Sequence, residues 1–282
     1  MSPGLYIVAT PIGNLGDMSD RARTTLAAAD VIACEDTRVT ARLLAAFGIE
    51  RPTMRYDEHT AERAGAVLIE RLKRNETVAL VSDAGLPLVS DPGQRLVRTA
   101  LDAGVPVTVV PGPSAPLAAL VISGLPTEPF HFAGFLPPKG AARRAALDRL
   151  AGIPATLLLL EAPQRLADSL ADMAAVLGAR PAAVARELTK LHEEVRRGTL
   201  ANLAADYAGP PPKGEIVIVV GPPGEDAAEL LAERRAGLDD RLRAALHTLS
   251  VRDAAAEVAA ATGLPRREVY ARALQLARGS DG

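Results

Sequence analysis

The chain has 282 residues, of which 48% are apolar and 23% charged, and its formal net charge is −2. These values indicate a soluble globular protein long enough for two domains, and its bulk charge does not point to a nucleic-acid partner, which would have to be met by local patches. The sequence contains neither a membrane-length apolar run nor a signal-peptide pattern, and its single cysteine, Cys34, fits a reducing compartment, so we expect a cytoplasmic protein.

The first part of the chain alternates apolar, β-branched runs with amphipathic stretches. Thr37 is expected to cap a helix that ends before Gly48, and Asp91 and Pro92 to begin a helix that closes at Gly104. This βαβ alternation predicts an α/β domain over residues 1–112, with a parallel sheet covered on both faces. Its strands are predicted near residues 4–9, 31–34, 53–56, 77–82 and 106–110.

A second α/β domain is predicted over residues 113–224, with helices at 140–151 and 163–177. The segment "LTKLHEEVRRGTL" joins two strand-like runs directly, so this sheet should be mixed rather than purely parallel. Its strands are predicted at residues 130–135, 155–161, 182–188, 193–197 and 214–220.

The remaining residues, 225–282, form a predicted helical tail. Helical patterns at 252–261 and 265–277, separated by the turn "TGLP", outline a helix-turn-helix-like pair. The arginines of the second helix are compatible with nucleic-acid binding, and the pair is equally compatible with a cap or a dimerisation element.

Four turns follow predicted strands of the first domain, where ligands gather in open α/β sheets. They read "TPIGN", "CEDTR", "SDAGLP" and "PGPSA". The dinucleotide and P-loop signatures are both missing from the first turn, so a polyphosphate ligand is not indicated. Asp83 could accept hydrogen bonds from a ribose or an ammonium group, whereas Asp36 and Thr37 could simply cap a helix. Tight-turn chemistry alone would also account for such Pro/Gly clusters.

The segment "ARELTKLHEEVRRGT" gathers eight charged or histidine side chains within twelve residues, Arg186 to Arg197. Since strand residues alternate faces, we weigh a functional face and an ordinary solvent face equally. The four histidines are too scattered for metal-ligand spacing, so we expect no metal. A serine-hydrolase elbow is also missing.

Taken together and in order, seven motifs resemble the bacterial 16S ribosomal RNA (cytidine-2'-O)-methyltransferases of the tetrapyrrole-methylase fold family. The likeness runs over residues 4–221, and the tail is similar to the appendage such enzymes carry. The motifs are "LYIVATPIGNLGDMSDRA", "IACEDTR", "ALVSDAGLPLVSDPGQRLV", "PGPSA", "GLPTEPFHFAGFLP", "ARELTKLHEEVRRGTL" and "GEIVIVV".

The resemblance implies two α/β domains with an S-adenosylmethionine cleft between them, and 2'-O-methylation of a decoding-site cytidine. It also implies a homodimer, 16S rRNA of the small ribosomal subunit as partner, and no membrane. The implied cofactor shell comprises Pro11, Ser82, Asp83, Ala84, Leu86, Ser114, Ala115, Glu161, Ala162, Leu188 and Thr189. Leu86, Gln94 and Leu160 stand where the family pattern differs, which affects individual side-chain contacts.

For the reaction, Glu187 and Asp36 are the candidate general bases, and Lys190 and Arg38 the candidate substrate or phosphate contacts. Further RNA contacts are expected from Arg143, Arg144, Arg186, Arg196 and Arg197. Two other interpretations stay open, a methyltransferase of a porphyrinoid substrate and a non-catalytic regulator that binds nucleic acid through its tail.

Overall fold

The computed structural model describes residues 1–224, 237–262, 264 and 266–279. The chain divides into two compact units. The first consists of Met1–Ile122, Ala185–Val195 and Gly214–Val217. The second consists of Ser123–Val184, Arg196–Lys213 and the described part of Ile218–Gly282. Three segments of the predicted second domain, residues 113–122, Ala185–Val195 and Gly214–Val217, are thus grouped with the first unit, and the domain boundaries set from the sequence stay a prediction.

The first unit is built on a parallel five-stranded sheet with the strand order β3-β2-β4-β1-β5. Neighbouring strands pair in parallel throughout, as expected from the βαβ alternation. The central strands β2 and β4 are buried along their whole length, which explains why they are continuous apolar runs. The strands are β1 (Gly4–Val8), β2 (Val31–Cys34), β3 (Thr53–Arg55), β4 (Thr77–Val81) and β5 (Val107–Val110).

Helices cover both faces of this sheet, as predicted. On one face Leu68 and Leu96 belong to an apolar cluster, and on the other Leu26 and Leu44 do. Burial of these leucines fixes which side of each helix faces the sheet. The helices are α1 (Asp20–Ala28), α2 (Thr37–Ala46), α3 (Ala61–Lys73), α4 (Gln94–Asp102) and α5 (Ala115–Ser123).

Two helix starts refine the sequence prediction. Asp36, and not Thr37, is the N-cap of α2, because its carboxylate accepts a hydrogen bond from the Arg38 N–H at 2.8 Å. The prediction that Asp91 caps α4 is wrong, since α4 begins after Gly93, whose φ of 144° suits only glycine. Asp91 is hydrogen-bonded to the Ser82 side chain instead.

The second sheet is mixed, with the order β6-β7-β10-β8-β9, and β6 and β7 pair in parallel. The loop Glu187–Glu193 connects the neighbouring strands β8 and β9 directly, as the sequence predicted. The strands are β6 (Phe130–Phe135), β7 (Thr156–Glu161), β8 (Pro181–Arg186), β9 (Glu194–Thr199) and β10 (Ile216–Val220). The helices of this part are α6 (Gly140–Leu150), α7 (Leu166–Leu177) and α8 (Leu200–Asp206).

The tail contains α9 (Leu238–Leu246), α10 (Val251–Thr262) and α11 (Arg266–Gly279). Leu242, Val258 and Val269 contribute to a small apolar core among the three helices. The predicted helix pair is thereby confirmed, while residues 225–236 of the predicted tail lie outside the described residues. Within the described ranges, every helix is too short or too polar to cross a membrane.

Candidate active site

A cavity of about 330 Å³ opens in the first unit, where β1 and β4 end. The turn after β1 and the turn after β4 form part of its wall, and α2 supplies an apolar and a basic side. The full lining is Thr10, Pro11, Ile12, Gly13, Leu15, Val39, Arg42, Leu43, Asp83, Ala84, Lys190 and Glu215. Pro11, Asp83, Ala84 and Lys190 were predicted from the sequence, and the position agrees with the rule that ligands bind at the carboxyl ends of parallel strands.

Backbone hydrogen bonds fix the turns after β1 and β4 against each other. Thr10 N–H donates to the Gly85 carbonyl at 2.9 Å, and Gly85 N–H donates back to the Thr10 carbonyl at 3.1 Å. The Thr10 hydroxyl also donates to the Ser82 carbonyl at 3.2 Å. Gly85 has φ +80°, and a Cβ there would lie 3.2 Å from Ile12 and 3.4 Å from the Pro113 carbonyl. Glycine therefore permits three of the predicted turns to meet closely.

The "CEDTR" turn joins this group through Asp83. The Asp36 N–H donates to Asp83 Oδ1 at 3.1 Å, while the Asp36 carboxylate pairs with Arg38 Nη2 at 2.6 Å. Hydrogen bonding from Arg38 holds the pKa of Asp36 well below its usual range. Arg38 itself remains 82% exposed along its side chain. Asp36 is therefore ionised and caps the helix, and the Arg38 side chain is accessible to a ligand.

Three neighbouring carboxyls have pKa values that are raised and not lowered. Burial raises the pKa of Asp83 and of Glu35, with nearby acidic groups adding to both shifts. Burial, reinforced by Glu35, raises the pKa of Asp91 to about 6. Of these three carboxyls only Asp83 lines the cavity, and the charges of Glu35 and Asp83 act on Asp91. Among the described residues no group of His, Cys, Asp and Glu is arranged to hold a metal ion.

The loop Glu187–Glu193 forms the far wall of the cavity. Glu187 and Thr189 both adopt left-handed backbone conformations, with φ of 51° and 67°. Glu187 Oε1 accepts hydrogen bonds from Lys190 Nζ at 2.9 Å and from the Glu215 N–H at 3.0 Å. The bond from Lys190 is the main reason that the pKa of Glu187 is lowered. Lys190 Nζ also donates to Glu215 Oε2 at 3.2 Å, which fixes its ammonium group between two carboxylates.

The same loop is attached to the turn after β1. Asn14 N–H donates to the Thr189 hydroxyl at 3.1 Å. A Cβ at Gly13 would collide with the Lys190 side chain, so the glycine of "TPIGN" is needed for that lysine to pass. Leu188 is buried beneath the loop with 7% of its surface exposed. The predicted cofactor residues Leu188 and Thr189 therefore belong to the cavity wall's supporting structure.

In the second unit, the Glu161 carboxylate is already saturated. It is buried and accepts hydrogen bonds from the Ala162 N–H at 2.8 Å, from Arg165 Nε at 2.6 Å and from the Ser169 hydroxyl. Any contact of this segment with a cofactor would thus fall to the backbone around Ala162. The predicted roles of Glu161 and Ala162 stay predictions.

The two adjacent arginines of α6 differ sharply. Arg143 is only 6% exposed and bonds Asp172 Oδ2 at 2.7 Å, whereas Arg144 is 52% exposed and bonds Asp172 Oδ1 at 2.9 Å. Arg143 is therefore part of a buried ion pair, which its placement on an amphipathic helix did not reveal. Of these two arginines, only Arg144 has a side chain accessible to solvent.

The other predicted residues are engaged to different degrees. Arg186 pairs with Glu194 at 3.1 Å, and Arg196 lies over the Tyr207 ring at 5.1 Å. Arg197 Nε donates to the Ser123 carbonyl at 3.0 Å. The remaining predicted cofactor residues, Leu86, Ser114 and Ala115, are half-buried.

Sequence reasoning missed the contribution of α2 to the cavity. Val39, Arg42 and Leu43 lie on one face of this helix, at the i, i+3 and i+4 spacing of helical neighbours. That spacing, directly after the "CEDTR" turn, was the available signal. Leu15 and Glu215 were missed as well, although they lie within the motifs "LYIVATPIGNLGDMSDRA" and "GEIVIVV".

The parallel sheet and the hydrogen-bonded Pro/Gly turns around a cavity at its strand ends define the class of protein. Residues 4–204 match the family described as Tetrapyrrole (Corrin/Porphyrin) Methylases, and the chain belongs to that family. Residues 232–277 match the family described as RsmI C-terminal HTH domain.

Several similar bacterial proteins share one name, Ribosomal RNA small subunit methyltransferase I. The protein from Mesorhizobium japonicum is 52% identical, over 98% of this chain and 93% of its own. That from Xylella fastidiosa strain Temecula1 is 50% identical, over 95% and 98%. That from Mycobacterium tuberculosis is 47% identical, over 100% and 99%.

Solved structures with the same fold are more distant. Uroporphyrin-III-C-methyltransferase from Thermus thermophilus is 23% identical with a TM-score of 0.55, over 82% of this chain and 98% of its own. A diphthine synthase is 18% identical with a TM-score of 0.60, over 77% and 89%. These likenesses concern the fold alone.

Proposed function

We propose that this chain is an S-adenosylmethionine-dependent methyltransferase of small-subunit ribosomal RNA, acting on the ribose 2'-hydroxyl of a decoding-site cytidine. The observation that carries the proposal is the cavity at the ends of β1 and β4, whose wall is formed by the motifs of the family resemblance. The name shared by relatives of about half-identical sequence supports the RNA substrate. We infer a cytoplasmic location from that substrate.

The cavity residues fit the cofactor. S-adenosylmethionine is a zwitterionic amino acid joined through a sulfonium to adenosine, and it lacks phosphate. The wall offers carboxylates at Asp83 and Glu215 and cations at Arg42 and Lys190, beside apolar surface from Ile12, Leu15, Val39 and Leu43. The volume, about 330 Å³, lies within the range of small-molecule pockets. We assign Pro11, Asp83 and Ala84 to direct contact and Thr189 to support of the turn.

When bound, the cofactor supplies an activated methyl group, so positioning of the acceptor hydroxyl accounts for much of the required rate enhancement. Lys190 Nζ is held between the carboxylates of Glu187 and Glu215, which fixes its position at the cavity wall. A ribose hydroxyl still gains from a proton acceptor. Asp36 and Glu187 were our candidate bases, but their hydrogen bonds support positioning roles. Asp83, with its raised pKa, lines the cavity and is the better acceptor.

RNA is proposed to meet the exposed arginines Arg38 and Arg144 through its phosphates. Single-stranded RNA can splay a nucleotide outward, which presentation of one ribose to a cavity requires. Arg186, Arg196 and Arg197 stay in the proposed set as contacts that would exchange their present partners for phosphate.

A homodimer is the proposed assembly. The edge strand β5 and the helix α5 expose Val109, Leu117 and Val121, at 51%, 47% and 73%. An apolar surface on a sheet edge favours coverage by another chain. Light scattering should give twice the chain mass, and Val121→Glu should give the monomer mass with unchanged thermal stability of the units. A monomeric wild-type chain would exclude this assembly.

The function is tested by transfer of labelled methyl from S-adenosylmethionine to small ribosomal subunits that lack the modification, followed by nucleoside analysis. We expect a single 2'-O-methylated cytidine. Label on an added porphyrinoid, without label on subunits, would favour the other substrate class. Cofactor binding without any transfer, together with duplex binding that requires residues 225–282, would favour the regulator.

A further inference from the structure

At the tip of the loop Glu187–Glu193, an apolar side chain faces solvent. Leu191 is 93% exposed, more than any other large apolar residue that the structure describes; the next, Val121, is 73% exposed. Leucine on a surface is common, but almost complete exposure at the tip of a loop is not explained by partial packing. The neighbouring residue Lys190 lines the cavity described above.

The backbone beneath Leu191 is held in place from several directions. Lys190 N–H donates to the Glu187 carbonyl at 3.0 Å, and Glu193 N–H donates to the Lys190 carbonyl at 3.1 Å. The Glu193 side chain accepts from the Thr189 N–H at 2.7 Å. Glu187 N–H in turn donates to the Glu215 carbonyl at 3.0 Å. The tip is therefore a preformed projection, and little loop ordering is required when it meets a ligand.

Two residues of this loop have strained backbone conformations. Glu187 and Thr189 have positive φ values without being glycine, which costs of the order of 1 kcal/mol each. Gly214, at φ +99°, leaves space that a Cβ would take from the Glu187 side chain. The strain is balanced by the carboxylate and ammonium contacts of the loop, and the result is to lift Leu191 away from the body of the unit.

We propose that Leu191 contacts the RNA substrate directly, packing against an unstacked base beside the nucleotide whose ribose enters the cavity. This inference rests on the proposed function. Proteins that open nucleic acids insert apolar side chains between base steps, and RNA is usually read where its bases are unstacked. Leu191 follows the cavity-lining residue Lys190, so a base packed on Leu191 would lie next to the nucleotide that enters the cavity.

The first test is kinetic and uses two exposed leucines of the first unit. Leu191→Ala should raise the KM for small subunits roughly tenfold, as expected when a leucine contact is cut to a methyl group. Its affinity for S-adenosylmethionine and its thermal stability should not change. Leu101→Ala is the matched control, since Leu101 is 54% exposed on α4 and should leave KM unaltered. Leu191→Met should restore most of the affinity.

The second test is a crosslink. Cys34 is buried and is the only cysteine of the chain, so Leu191→Cys adds a single accessible thiol. A benzophenone maleimide on that thiol should, on irradiation with subunits, form an RNA adduct within a few nucleotides of the methylated position. A chain-to-chain adduct instead would assign Leu191 to the contact between copies and overturn the proposal.

The outcomes separate the two levels of inference. Wild-type protein that labels no subunits overturns the proposed function. Wild-type protein that labels subunits, with an unchanged KM in Leu191→Ala, overturns only the role of Leu191.

Discussion

Glu187 is the residue for which the sequence and the structure suggest different roles. The sequence made it a candidate general base, whereas the structure ties its Oε1 to Lys190 Nζ at 2.9 Å and to the Glu215 N–H at 3.0 Å. The pKa of Glu187 lies below its ordinary value of 4.5, mainly through Lys190. A carboxylate stabilised in this way is a weak proton acceptor and a strong anchor. Substitution distinguishes these roles.

Glu187→Gln keeps an oxygen at the same place and removes the charge. Hydrogen bonds to charged groups contribute about 1.5–3 kcal/mol, roughly twice as much as neutral ones. We therefore expect the interaction between residue 187 and Lys190 to weaken by about 1 kcal/mol. That corresponds to about a fivefold change, and it should appear in KM for RNA because Lys190 is less firmly held. Glu187→Ala removes both bonds and should cost about 2–3 kcal/mol.

The assay is steady-state methyl transfer to small subunits between about pH 6 and pH 9, with cofactor affinity measured separately. Glu187 is ionised across that range because its pKa is depressed, so both variants should keep the wild-type shape of the pH profile. A general base contributes roughly 10²–10⁴ to the rate. If Glu187→Gln lost more than about a hundredfold in kcat with unchanged cofactor affinity, the positioning role would be refuted.

Two further predictions concern stability and are measured by urea unfolding. Arg143→Ala should lower the free energy of unfolding by about 3 kcal/mol, because it breaks a buried ion pair. Arg144→Ala should lower it by under about 1 kcal/mol and should instead change the KM for RNA. Equal effects of the two variants on stability would contradict this distinction. The pKa of Asp91 is raised from 3.8 to about 6, so the stability that Asp91 contributes is present below pH 3.8 and is lost as the pH rises to about 6. The free energy of unfolding of Asp91→Asn should therefore rise relative to wild type by up to roughly 2 kcal/mol between pH 4 and pH 7. A difference that stays constant with pH would show that Asp91 is not the titrating group.

The fold of the first unit was predictable because its strands are buried on both faces. Continuous apolar runs such as Val31–Cys34 mark parallel strands unambiguously, and glycines mark where turns are tight. The start of α4 was not predictable, since Asp91 and Pro92 satisfy the local rule for a helix cap. The competing hydrogen bond from the Ser82 hydroxyl to the Asp91 carboxylate depends on a contact nine residues away, which local rules do not contain.

The candidate site was predictable to the extent that its residues lie in strand-end turns. Pro11, Asp83 and Ala84 follow from that rule, and Lys190 from the family resemblance. Glu215 lies in the motif "GEIVIVV" but outside the strand-end turns, and its contacts with Glu187 and Lys190 are seen only in the structure. The burial of Arg143 was equally hidden, since its partner Asp172 lies on a different helix.

The charge states of the carboxyls indicate that different residues at the cavity position the substrate and accept its proton. Asp36 and Glu187 are held ionised by Arg38 and Lys190, and each fixes the position of a basic side chain. Asp83 lines the cavity, accepts a hydrogen bond from the Asp36 N–H and has a pKa raised by burial. A proton released from a ribose hydroxyl would therefore move more favourably to Asp83 than to either anchored carboxylate. The residues that hold the substrate and the residue that receives its proton are then different, which is why loss of an anchor should change KM and loss of Asp83 should change kcat.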